Sequence, residues 1–88
     1  MMLFQLGQVV ATPGVLQVVS HGEIQEFLYQ HCHGNWGIIS PEDAEENWFA
    51  LENGFRIFSV YVSSNGVRVW VITEADRSCT TVLLPEEY

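Results

Sequence analysis

The chain reads as a small α+β domain, with three short helices packed on one face of a three- to four-stranded antiparallel sheet in the order β-α-α-α-β-β-β. Two observations predict this. The first two-thirds carries apolar residues at helical spacing, each stretch bounded by Ser, Thr, Pro or Gly. The last third alternates apolar and polar residues around Asn65-Gly66, the strongest short hairpin signal.

Each element has its own reason. Residues 3–11 read as a first strand, with Gly7 marking a bulge. Thr12 caps a short helix, Pro13 takes its first position, and Val15, Leu16 and Val19 form its apolar side through about Ser20, with Gly22 as its stop. Residues 23–33 form the clearest amphipathic helix, because Ile24, Phe27, Leu28 and Cys32 fall on one stripe. Gly34 ends it, and Trp36 anchors a tight loop between Gly34 and Gly37. Ser40 and Pro41 open a third helix whose inward face is Ala44, Trp48 and Leu51, closed by Asn53-Gly54.

Strands over 55–64 and 67–74 then flank the hairpin turn. A two-residue type I′ turn would set Val62 against Val69, Tyr61 against Trp70, Val60 against Val71 and Ser59 against Ile72. Phe58, Val60, Val62, Val69 and Val71 would then form an apolar face under the helices. Ser59, Tyr61, Ser63, Arg68, Trp70 and Ile72 would form a mixed opposite face, with Tyr61 stacked on Trp70. Residues 75–78 read as a turn, 80–84 as a final strand, and Pro85 as its stop.

Eighty-eight residues make a single domain, and 48% hydrophobic with 16% charged residues supports a packed core rather than disorder. Eleven carboxylates face three arginines, and there is no lysine. A formal net charge of −8 argues against direct nucleic-acid binding, which needs clustered Lys and Arg. It suits a basic protein partner, and it equally keeps an apolar domain in solution. The N-terminal stretch lacks the basic start of an export signal, and no apolar run is long enough to span a membrane. With Cys32 and Cys79 too few for a disulfide framework, the expectation is a cytoplasmic protein with reduced thiols.

Four groups of residues could carry chemistry. His31-Cys32-His33, with His21 upstream, has metal-binding residue types, but consecutive helical positions diverge and no second ligand pair exists. The expectation is no metal and no cofactor, with the histidines at a polar helix end. Cys32 sits on the apolar stripe, which suits an inert thiol. The stretch from Glu74 to Thr81 offers Glu74 or Asp76 as a general base, Arg77 as an anion holder and Thr80 as a hydroxyl. The same residues serve equally well to satisfy a turn. The mixed sheet face, with Tyr61, Trp70 and Arg68, holds residue types common at binding hot spots. An unpaired sheet edge would offer a route to a homodimer. No phosphate-cradling glycine loop, nucleophile elbow or HExxH motif occurs.

Val10-Ala11-Thr12-Pro13-Gly14, His31 with Gly34-Asn35-Trp36-Gly37, Asn47, Trp70 through Ser78 and Thr80 through Tyr88 together resemble a family of small bacterial proteins carried on plasmids, phages and integrated elements. The resemblance spans nearly the whole chain, with Asn35 where the family pattern has Asp. It implies a bacterial mobile-element setting. Some relatives carry a restriction-modification methyltransferase label, but this chain has no glycine-rich cofactor loop and is too short for a methyltransferase core.

The functional expectation is therefore a non-enzymatic accessory protein that binds another protein. Tyr61, Trp70 and Arg68 would do so together with the acidic helix residues Glu42, Asp43, Glu45 and Glu46, whose carboxylates would in one version imitate the phosphates of DNA. The alternative is a small-ligand or catalytic site built from His31, Trp36, Glu74, Asp76, Arg77 and Thr80. A homodimer joined through its apolar sheet face is a third possibility.

Overall fold

A computed structural model describes residues Met1–Tyr88. In chain order its elements are β1 (Gln8–Ala11), α1 (Pro13–Val18), α2 (His21–Cys32), α3 (Pro41–Asn53), β2 (Ile57–Val62), β3 (Arg68–Thr73) and β4 (Cys79–Leu83), followed by a 3-10 turn over Pro85–Glu87. The expected α+β order holds, with three helices on one face of the sheet. The sheet is mixed rather than purely antiparallel. Its strand order is β1-β4-β3-β2, and β1 runs parallel to β4 because the whole helical region separates them.

The helices begin where their caps dictate. Thr12, Ser20 and Ser40 each accept a hydrogen bond from the amide three residues on, at Val15, Glu23 and Asp43. Ser20 therefore starts α2 two residues earlier than expected, and Gly22 lies inside its first turn rather than stopping α1. On α3 the buried residues are Asn47 and Ala50. Trp48, expected to point inward, is 51% exposed.

The hairpin departs from expectation by one residue. The amide of Ser63 donates to Val67 O, the amide of Gly66 donates to Ser63 O, and φ is positive at Gly66 but not at Asn65. This is a three-residue loop with a glycine bulge, not a type I′ turn. Its register pairs Val62 with Arg68, Tyr61 with Val69, Val60 with Trp70 and Ser59 with Val71. A one-residue shift moves every β3 side chain to the other face relative to β2. Tyr61 therefore lies under the helices with Ile57, Ser59, Val69, Val71 and Thr73, whereas Trp70 lies on the opposite face with Phe58, Val60, Val62, Arg68 and Ile72. The expected Tyr61–Trp70 stack does not form. Tyr61 stacks instead on Phe27 of α2, ring centroids 4.8 Å apart.

The two sheet edges differ. The β2 edge is closed. Val60 donates to Trp36 O and accepts from Ile38 N, across a bridge at Gly37. Gly37 has φ +73, and a Cβ there would lie 1.9 Å from Val60 O. Asn47 completes the seal, its side-chain amide donating to Phe58 O and accepting from Phe58 N. The β1 edge has no such cover.

Candidate functional site

Two places concentrate chemical groups, one sealed and one open. The sealed one surrounds His31, which is fully buried rather than a polar residue at a helix end. Its Nδ1 meets Ser59 Oγ, and its Nε2 lies 2.9 Å from Thr73 Oγ1. Thr73 Oγ1 is 2.7 Å from Thr80 Oγ1, and Thr80 donates to Leu6 O at 2.7 Å. Each hydroxyl has one proton, so the terminal carbonyl fixes the direction of the whole chain. Thr80 gives its proton to Leu6 O and so accepts from Thr73. Thr73 then accepts from His31 Nε2–H, which leaves Nδ1 to accept from Ser59. His31 is thereby held as the neutral Nε2–H tautomer, and burial pushes its pKa down to about 3.

A serine hydroxyl on a histidine nitrogen is the start of a nucleophile–base pair. Here neither residue reaches solvent. Ser59, Thr73 and Thr80 are as fully buried as His31, and none of them lines a surface hollow. The Phe4 ring closes over the site, perpendicular to the imidazole with ring centroids 5.2 Å apart. The arrangement saturates buried polar atoms and joins α2 to three strands.

The other members of the expected alternative site have structural partners. Arg77 does not hold a carboxylate. Its guanidinium donates to the carbonyls of Phe55, Glu74, Ala75 and Ala50, tying the β3–β4 turn to the end of α3. It does so from a left-handed backbone, φ 61. Asp76 accepts from the amide and hydroxyl of Ser78, which hold its carboxyl below the usual range. Glu74 pairs with Arg56 at 3.4 Å. Trp36 is buried against Cys32, Ala50 and Ile57, its ring 4.7 Å from that of Trp48. His31 and Thr80 share one network and Arg77 reaches Phe4, but Glu74 and Asp76 turn away, so the six residues line no common pocket. Burial pushes the Cys32 thiol up, away from reactivity. No group of three or more His, Cys, Asp or Glu side chains converges. No helix is long and apolar enough to cross a membrane.

The open place is the helix-free sheet face. Phe58, Trp70, Ile72, Tyr88 and Arg56 line a shallow hollow of ≈ 280 Å³. Trp70 stands edge-on to Phe58 at 5.1 Å and to Tyr88 at 5.7 Å. Arg56 donates to the Tyr88 hydroxyl at 3.1 Å and covers its ring. Leu83, Thr81, Glu74 and Glu87 continue the surface beyond Ile72. Of the residues expected at a binding face, Trp70 and Arg68 are here, and Tyr61 is not. It is buried, with its hydroxyl donating to Asn35 O at 2.6 Å. Ile72, expected on the open face, is here too, whereas Phe58, Arg56 and Tyr88 were missed. For Phe58 the signal was Tyr61 in Phe58-Ser59-Val60-Tyr61-Val62, which shows both parities of β2 to be apolar.

Glu42, Glu45 and Glu46 are exposed on α3, with Asp43 partly covered as it enters the helix. They lie outside the aromatic hollow and form a separate acidic ridge. No protein-family model, curated protein or solved structure matches this chain.

Proposed function

We propose that this domain is a non-enzymatic binding module that docks another protein on its helix-free sheet face. One observation carries the reading: the hollow of Phe58, Trp70, Ile72 and Tyr88, aromatic and rimmed by Arg56, on a face that no helix covers. Rigid aromatic rings give large contact area at little entropic cost, and Trp, Tyr and Arg dominate binding energies at protein interfaces. The net charge of −8 favours a basic partner, drawn in at long range and anchored at short range. The ridge of Glu42, Glu45 and Glu46 would add to this attraction, and a DNA-binding protein is one such basic partner. The sequence resemblance adds a bacterial mobile-element setting, where accessory proteins act by binding host proteins.

The test separates the face from the ridge. Wild type, Trp70→Ser and the triple variant Glu42→Gln/Glu45→Gln/Glu46→Gln are immobilised and exposed to bacterial lysate at low and high salt. Circular dichroism checks that each is folded. A protein kept by wild type and lost by Trp70→Ser, with retention weakened by salt, supports the reading. Identical captures by wild type and Trp70→Ser refute it. Loss in the triple variant alone moves the site to the acidic ridge.

A further inference from the structure

We infer that β1 is a self-association edge, on which a second copy of this chain adds antiparallel to form one continuous sheet of twice the width. β1 has β4 on one side and nothing on the other. The amides of Gln8 and Thr12 donate to Ser78 O at 2.9 Å and Val82 O at 3.0 Å. The alternation of a parallel ladder then turns N–H and C=O of Val9 and Ala11 outward, away from β4. None of the devices that blunt an edge is present: there is no charged residue, no proline and no covering loop on this strand. The β2 edge, by contrast, is closed by Gly37 and Asn47.

The hydrogen-bonding phase suits a two-fold axis. With Val10 on the axis, Val9 N–H meets Ala11 O of the second copy, and Ala11 N–H meets Val9 O. Symmetry repeats both bonds. Val10, 42% exposed on the helix-free face, then touches its own mate. On the helical side the edge runs beside a groove of ≈ 250 Å³ lined by Val9, Leu16, His21, Ile24, Gln25 and Leu28, with Val9 and Leu16 nearly half exposed. Burial of this apolar groove supplements the few hydrogen bonds of a short strand.

Charge selects the occupant. Residues 1–22 contain no Asp, Glu, Lys or Arg, so every one of the 11 carboxylates lies at or beyond Glu23. Two copies at −8 each repel least across this strand, which carries no charged side chain of its own and meets a carboxylate only at its end, where Thr12 and Gly14 donate to Glu87. A basic partner is drawn elsewhere for the same reason. The strand's own mate offers matching length, matching neutrality and a complementary bonding phase by symmetry.

Sedimentation equilibrium over two orders of magnitude in protein concentration tests the inference. Wild type is expected to reach twice the mass of one chain. Val10→Asp puts like charges on the axis, and Val9→Pro removes an outward N–H that β4 does not use, so both are expected to remain monomeric. Trp70→Ser, on the helix-free face, is expected to dimerise as wild type does. A wild type that is monomeric at all concentrations overturns the inference, as does a dimer that survives both edge variants or is lost in Trp70→Ser. If the edge variants do not fold, amide exchange in wild type decides. Protection of Val9 and Ala11 that rises with concentration upholds the paired edge, and protection that does not change overturns it.

Discussion

Acidification from pH 7 to pH 5 should weaken this fold through His31. In the folded state burial holds its pKa near 3, against 6.5 for an unhindered imidazole. A depressed pKa means that the unfolded chain binds the proton more readily. The stabilising contribution is therefore complete above pH 6.5 and is lost as pH falls toward 3. Inside that window each pH unit costs about 1.4 kcal/mol, and the step from pH 7 to pH 5 costs about 2 kcal/mol, since part of it lies above the unfolded pKa. That is a large share of the ~5–15 kcal/mol by which domains are stable. The hydrogen bonds agree with the sign. An added proton on Nδ1 would force Ser59 to stop donating and would place a charge in a fully buried site. The window also avoids Asp76 and Glu87, whose depressed carboxyl pKa values move their own losses to more acid pH. Urea unfolding at pH 7 and pH 5 measures the effect, with His31→Gln as the variant that cannot titrate. Wild type should lose about 2 kcal/mol over this range and the variant far less. Equal losses in the two proteins, or ring nitrogen shifts that report an Nδ1–H tautomer at neutral pH, would refute the assignment.

Two further substitutions test the joints between elements. Arg77→Ala strips the guanidinium from the carbonyls of Ala50, Phe55, Glu74 and Ala75, and should cost about 2 kcal/mol by thermal or urea unfolding, in the range of hydrogen bonds to charged groups. Arg77→Lys, without the fork, should recover only part of that; full recovery would show that charge alone suffices. Asn47→Ala leaves the Phe58 amide and carbonyl unpaired at the β2 edge, and should cost about 2 kcal/mol while making the protein prone to aggregate, as read by light scattering. An unchanged melting temperature for Asn47→Ala would show that the edge does not need this seal.

Local signals in this chain were strong wherever one residue type has one structural use. Thr12 and Ser40 mark helix starts, and Gly54 closes α3 in the left-handed conformation that its sequence position implies; Ser20 was read as the end of α1, though it caps α2. Long-range facts were not legible. Nothing near β1 announces that its partner is β4, some seventy residues away, and so the parallel pairing was invisible. The face of α3 was misjudged because Trp48 looks like core by hydropathy, whereas Asn47 is buried for its amide. His31 was misread for the related reason that a histidine at a helix end is ordinarily solvated. Only the fold brings Ser59, Thr73 and Thr80 to its two nitrogens. The open face was misassigned by one cause, the length of the hairpin loop.

That loop length was not a free choice for the chain, even though Asn65-Gly66 permits both turn types. In the register of a two-residue turn, Thr73 would leave the side of the sheet that faces His31, and Glu74 would point beneath the helices in its place. One imidazole nitrogen would lose its partner and a carboxylate would be buried, each at a cost of several kcal/mol. The observed loop keeps Thr73 beside Thr80 and returns Glu74 to Arg56 at the surface. The hairpin tip is also clamped to the helices, since Ser64 donates to Glu23 through both its amide and its hydroxyl, and Asn65 donates to Val18 O. The sealed network and the open face are thus two consequences of one register. The polar residues that hold His31 set the parity of β3, and that parity is what turns Trp70 and Ile72 outward to build the aromatic hollow.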